Sequence, residues 1–169
     1  MSLDNRPVYT GGCQCGAVRF RVEGALKNVS ICHCRMCQKA FGNFYAPLAT
    51  APEGGLTWTR GAPKKFRSSS HVLRGFCENC GTPLTFEAPD GIALAIGAFD
   101  DPNVAAPVIQ VNPNDKLPFV DSIPGLPTRP STEKPPLDVG RPGFVNHQHP
   151  DHDTAVWPPA AGTDGGRAS

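Results

Sequence analysis

Seven cysteines, gathered in three short groups within the first 80 residues, constrain this chain more than any other feature. An odd number cannot all pair as intramolecular disulfides. The groups are Cys13-Gln-Cys15-Gly, Cys32-His-Cys34-Arg-Met-Cys37 and Cys77-Glu-Asn-Cys80-Gly. The opening residues Met1–Pro7 hold no apolar run of the signal-peptide kind, and no stretch approaches the length of a membrane span. A reducing, cytoplasmic setting is therefore expected, where clustered cysteines serve as metal ligands or catalytic groups more often than as disulfides.

The 169 residues suit one domain with an appendage. A formal net charge of +1 removes the electrostatic case for a nucleic-acid or anionic-membrane partner. With 18 glycines and 19 prolines, short strands and many turns are expected, and little helix. Val18, Phe20 and Val22 alternate with Arg19 and Arg21, the period of a strand with one face buried. Similar runs occur at Lys64–Arg67, Val72–Phe76, Pro83–Glu87 and Ile92–Gly97, and Val108–Val111 reads as the last strand of the core. One short helix is expected at Arg35–Phe41. Thirteen of the prolines lie beyond residue 101, which divides the chain into a mainly β domain, 1–128, and an irregular Pro/Gly-rich C-terminal extension, 129–169.

Two thiolates three residues apart, followed by Gly81, have the form of a zinc knuckle. The glycine lets the backbone turn beneath the sulfurs. A knuckle gives two ligands and a structural zinc needs four, so a second pair is required. Cys77 and Cys80 can join Cys13 and Cys15, leaving Cys32, Cys34 and Cys37 as a three-thiolate set. Alternatively they can join Cys34 and Cys37, leaving three scattered cysteines. The first division uses all seven and is preferred. It also matches a physical distinction: closed sites of four ligands are structural, whereas catalytic sites keep a position open.

Gly11-Gly-Cys-Gln-Cys-Gly-Ala-Val-Arg-Phe, Cys32-His-Cys-Arg-Met-Cys-Gln-Lys and Phe76-Cys-Glu-Asn-Cys-Gly-Thr-Pro resemble the glutathione-dependent formaldehyde-activating enzyme family, which includes centromere protein V. The resemblance runs from about Thr10 to Leu126 and takes in Trp58-Thr-Arg-Gly, Phe66-Arg-Ser-Ser and Gly97-Ala-Phe-Asp-Asp-Pro. It implies the β-tent of Mss4-like proteins, built from small antiparallel sheets. It implies two zinc ions: a structural one on Cys13, Cys15, Cys77 and Cys80, and a catalytic one on Cys32, Cys34 and Cys37. It further implies a carbon–sulfur lyase that joins a thiol to an aldehyde, as in S-(hydroxymethyl)glutathione formation from glutathione and formaldehyde. A zinc-stabilised binding module without turnover is the alternative, and a thiol oxidoreductase a third reading.

Three thiolates leave a zinc site formally negative; Arg35, Lys39 and Arg74 are candidates to offset it or to hold substrate carboxylates, while each taken alone reads as a solvated surface charge. His33, between two ligands, is expected to orient them rather than to ligate. His71 reads as an ordinary strand residue. Many family members carry a histidine opening the strand that corresponds to Val108-Ile-Gln-Val; here Pro107–Pro118 contains none. His147-Gln-His149-Pro-Asp151-His152 matches a di-metal hydrolase string. Only 17 residues follow it, too few for the rest of such a fold, so a polar tail is expected, with Trp157 pinning it to the domain.

Overall fold

The computed structural model describes residues 6–130, 142–143 and 145–158. The fold is mainly β, with one α-helix and several 3₁₀ turns. A three-stranded antiparallel sheet is formed by β1 (Val8–Gly12), β2 (Arg19–Glu23) and β5 (Leu56–Arg60), in the order β1-β2-β5. A seven-stranded sheet contains β3 (Lys27–Cys32), β4 (Ala46–Thr50), β6 (Lys64–Arg67), β7 (Leu73–Phe76), β8 (Pro83–Ala88), β9 (Gly91–Ala95) and β10 (Ile109–Val111). Its order is β10-β3-β4-β9-β8-β7-β6, and the pairing of β10 with β3 is parallel. The helix α1 (Arg35–Phe41) fills the crossing between β3 and β4. It ends at Gly42, whose φ of 56° supplies the left-handed C-cap.

The core lies where the two sheets face each other. Phe20, Val22, Leu84 and Leu94 are fully buried there, and Phe20 meets Phe99 and Trp58 edge-on at 5.2 and 6.1 Å. Burying each large side chain contributes about 1.5–3 kcal/mol. Cys13 and Cys77 belong to this cluster, whereas Cys32 and Cys37 pack in a second one with Ala46, Leu48 and Ala93. The two cysteine sets therefore sit in different parts of the core.

Several local expectations are corrected. Arg19 faces away from the Phe20 side of β2, yet it is 2% exposed rather than solvated. Its guanidinium makes two parallel hydrogen bonds to Asp100, at 2.7 and 2.6 Å, and two more to Asp153 at 3.0 and 2.8 Å. His71 is not in a strand; it occupies the bend between β6 and β7. Ile96 and Gly97 leave the strand for a 3₁₀ turn, Ile96–Ala98. β10 is an edge strand with all three residues exposed, not a core strand.

Residues 145–158 carry no regular element and lie as a strap against the β1–β2 connection and the adjoining ends of β2 and β5. Trp157 Nε1 donates to the Cys15 carbonyl at 2.6 Å, and the His149 amide donates to the Gln14 carbonyl at 2.7 Å. Arg60 reaches the Thr154 carbonyl. The remainder of the 129–169 extension, apart from 129–130 and 142–143, falls outside the described residues, as do residues 1–5.

Candidate metal centres

Each cysteine pair of the first group is the tip of a hairpin. Cys13 and Cys15 lie on the β1–β2 connection, and Cys77 and Cys80 on the β7–β8 connection, so one pair comes from each sheet. The four sulfurs lie within 4.8 Å of one another. Cys13 and Cys15 Sγ are 3.6 Å apart, and Cys15 and Cys77 Sγ are 3.9 Å apart. A tetrahedron with metal–sulfur bonds of the zinc length has S···S edges of about 3.8 Å. The donors thus already hold the spacing that a tetrahedral thiolate metal requires.

The knuckle turn forms as the spacing predicts. Gly81, at φ 77°, donates to the Cys77 carbonyl at 2.8 Å, and the Cys77 amide donates to the Thr82 carbonyl at 3.0 Å. The Thr82 hydroxyl accepts from the Gln14 amide at 3.1 Å and stands 3.1 Å from Cys80 Sγ, tying the hairpins together. Burial works to raise the Cys80 thiol. The Thr82 hydroxyl and amide and the Cys15 amide overcome it and bring the thiol down to about 6. A thiolate is therefore available there at neutral pH.

The second group is built differently. Cys32 closes β3, Cys34 is the residue before α1, and Cys37 lies in the first turn of the helix. Their sulfurs are also within 4.8 Å of one another. Gln38 is buried in α1 and fixes it by donating to the His33 carbonyl at 2.7 Å and the Asp115 carbonyl at 3.1 Å. Among the described residues these two groups are the clusters of three or more metal-binding side chains that converge in this way.

Two side chains from outside the motif donate to these sulfurs. Asn112 Nδ2 lies 3.4 Å from Cys32 Sγ, and Arg74 Nη2 lies 3.4 Å from Cys37 Sγ. Burial tends to raise the Cys32 thiol, but the Cys34 amide and Asn112 bring it below its ordinary value. Burial dominates at Cys37 and pushes it up to about 12, with the Arg74 hydrogen bond and charge pulling the other way. Of the three candidate cations Arg74 alone is in place, buried rather than the solvated surface charge that each suggested singly. Arg35 and Lys39 are exposed, and Arg35 instead meets Gln38 Oε1 at 3.2 Å.

His33 is fully buried and does not join the sulfurs as a ligand. Its Nε2 faces Gln110 Oε1 at 3.0 Å, and its ring meets Tyr45 edge-on at 5.8 Å. Asn112 and Gln110 are the residues that sequence reading missed. Both reach the site because β10 runs parallel to β3, with Val111 opposite Cys32. Position 108, where a family histidine is absent, is 85% exposed and does not line the site.

A cavity of about 360 Å³ opens over the three-cysteine group. Cys32, Cys34 and Cys37 line it together with Arg74, Phe86 and Asn112. Of the four-cysteine group only Cys13 borders a cavity, a smaller one of about 210 Å³ that strap residues 148–151 also line. His149 of the strap is buried, turns Nδ1 to the Pro150 carbonyl at 2.7 Å, and takes a contact from Arg60 Nη1 on Nε2 at 3.4 Å. It acts as packing for the strap, and a Cβ at Gly16 would stand 2.1 Å from its ring.

A profile of the glutathione-dependent formaldehyde-activating enzyme family matches residues 8–114, well over half of the chain and all seven cysteines. The chain belongs to this family. Among its relatives is an uncharacterized lyase from Schizosaccharomyces pombe, 29% identical over 85 residues. That match covers 50% of this chain and 61% of the yeast protein, so the chain spans under two thirds of that relative. A Rhodobacter sphaeroides protein of known crystal structure aligns with a TM-score of 0.49 at 22% identity, over 60% of this chain and 99% of that one. The family match ends at residue 114, before the strap.

Proposed function

We propose that the protein is a zinc-dependent carbon–sulfur lyase that makes and breaks thiol–aldehyde adducts, with glutathione and formaldehyde as the first pair to test. The observation that carries this reading is the contrast between the two cysteine groups. Four sulfurs converge between two hairpins, with only Cys13 of them bordering a cavity, of about 210 Å³, while all three of the second group line a cavity of about 360 Å³, large enough for a small molecule. In this reading Cys13, Cys15, Cys77 and Cys80 hold a structural zinc, and Cys32, Cys34 and Cys37 hold a catalytic one. Domain 1–128 carries both, and the 129–169 extension is accessory.

Soft thiolate donors in sets of four and three fit zinc by ligand type, and in the set of four the observed S···S distances fit its bond length. Cys32, Cys34 and Cys37 would hold the zinc ion, and zinc bound there would supply the Lewis acidity that turns a substrate thiol into its thiolate at neutral pH. The protein's own contribution is positional. The Asn112 amide and the Arg74 guanidinium each donate to a sulfur, which favours the Cys32 thiolate and opposes the upward push of burial at Cys37. The Arg74 charge offsets the excess negative charge of three thiolates, with its guanidinium carbon 5.1 Å above the Phe86 ring. Seven free thiols belong to a reducing compartment, and cytoplasmic placement is part of the proposal.

Zinc-loaded protein mixed with glutathione and formaldehyde, followed by exchange NMR, tests the reaction. Adduct exchange faster than in buffer supports it. No acceleration with zinc fully bound rejects this pair, and the same result across small thiols and aldehydes leaves the non-catalytic binding module as the reading.

A further inference from the structure

Arg74 is placed in β7 with 7% of its surface exposed, and each nitrogen of its guanidinium has a distinct environment. Nε donates to Ser68 Oγ at 3.0 Å, and Nη2 donates to Cys37 Sγ at 3.4 Å. Nη1 is fully buried and has no hydrogen-bond partner. A buried guanidinium nitrogen without an acceptor is costly, and such groups in folded proteins call for an explanation. Arg74 lines the cavity over the three cysteines, and among the described residues it is the one cationic side chain that does.

We propose that Arg74 Nη1 is the donor for the oxygen of the thiol–aldehyde adduct, which makes Arg74 a catalytic residue. This inference rests on the thiol–aldehyde reading given above. A carboxylate is recognised best by two parallel N–H groups of one guanidinium. Here Nε and Nη2 are engaged elsewhere, so one nitrogen remains, which suits a single oxygen. Nη2 contacts the Cys37 sulfur, and Nη1 is on the same planar group, so the unpartnered donor stands next to that sulfur.

In addition, the thiolate sulfur forms its bond to the carbonyl carbon as the C=O π bond breaks. The electron pair moves to oxygen, and the alkoxide is held by Nη1 until it takes a proton from water. In breakdown the hydroxyl proton leaves to water, the carbonyl re-forms, and the C–S electron pair returns to sulfur. Arginine stays protonated throughout and stabilises charge without transferring a proton.

Arg74→Gln separates this role from simple support of Cys37. Protein loaded with Co(II) in place of zinc reports the site through its thiolate charge-transfer bands and its affinity for glutathione alone. The cobalt bands are expected to persist, with thiol affinity lowered no more than about fivefold by loss of the Arg74 charge beside Cys37. Turnover with glutathione and formaldehyde is expected to fall about 100-fold in kcat, well beyond any change in thiol affinity. A kcat within threefold of the parent overturns the proposal. So does a fall matched by loss of the cobalt bands or of thiol affinity, which would make Arg74 a support for Cys37 only. Should Arg74→Gln not fold, Arg74→Lys is read in the same way, with a fall of about tenfold expected because one ammonium cannot serve both the sulfur and the oxygen. A parent protein that binds thiol without turnover rejects the reaction itself, and Arg74's role with it. Parent turnover with an unimpaired variant rejects Arg74's role alone.

Discussion

Cys15 and Cys77 are 62 positions apart in the chain, on hairpins of two different sheets, and their sulfurs approach to 3.9 Å. The four-cysteine group therefore joins the two sheets, in addition to shaping its own loops. Metal binding at such a site contributes directly to folding.

Cys77→Ser is expected to remove this join. The variant should lose its cooperative thermal transition or melt at least 15 °C lower, and a strong chelator should do the same to the unsubstituted protein. Circular dichroism on heating checks it. A Cys77→Ser protein that melts with the parent would mean that the sheets are held without the metal.

Arg19 and Asp100 form the buried ion pair of the core edge, with side chains 3% and 12% exposed. Burial acts to raise the Asp100 carboxyl, but the Arg19 hydrogen bonds and charge, with the Thr10 hydroxyl, hold it below the ordinary 3.8. A depressed carboxyl stabilises the fold above its unfolded pKa, and that stability is lost as pH falls through the folded value. Asp100→Asn should cost about 3 kcal/mol at pH 7, since it leaves a buried guanidinium short of its partner. The gap between variant and parent should narrow below pH 4 in urea titrations. A gap independent of pH would show that the pair is not the cause.

His149 gives the strap a second pH dependence. Burial lowers its pKa from 6.5, the Arg19 and Arg60 charges lower it further, and the Pro150 carbonyl and Asp100 oppose them. The neutral ring is favoured in the docked strap, so docking is fully stable above pH 6.5 and weakens as pH falls below it. The indole N–H resonance of Trp157 should move from its hydrogen-bonded position as pH drops from 7 to 5.5. In His149→Gln that movement should vanish, and its persistence would assign the change to another group.

Gly16 sits at φ 78° under the His149 ring, and a Cβ there would stand 2.1 Å from Cδ2. Gly16→Ala should release the strap while leaving metal content unchanged, because the substitution meets the ring and the disfavoured backbone region together. Proteolysis between Asp151 and Trp157 reads this directly. Protection equal to that of the parent would show that the strap does not seat on this glycine.

Spacing made the cysteine groups legible because each is local. Cys77 and Cys80 define one hairpin turn, and Cys34 and Cys37 start one helix, so short motifs encode both. The β2 alternation also held for Phe20 and Val22. It misplaced Arg19, because the strap that covers that face comes from more than 120 residues away in the chain. β3 and β4 carry no clean alternation, and β10 reaches β3 only through a parallel pairing that no local pattern announces. For that reason Asn112 and Gln110 were invisible in the sequence, and Arg74 was one of three equivalent cations. The tail histidines matched a metal motif by string alone; in three dimensions His149 turns inward to hydrogen bonds.

The division of seven cysteines into a closed set of four and an open set of three is the central claim, and metal stoichiometry tests it most directly. Protein purified with zinc should carry two ions per chain, and Cys34→Ser should carry one with an unchanged melting curve. One ion per chain in the parent, or two in the variant, would contradict the second site.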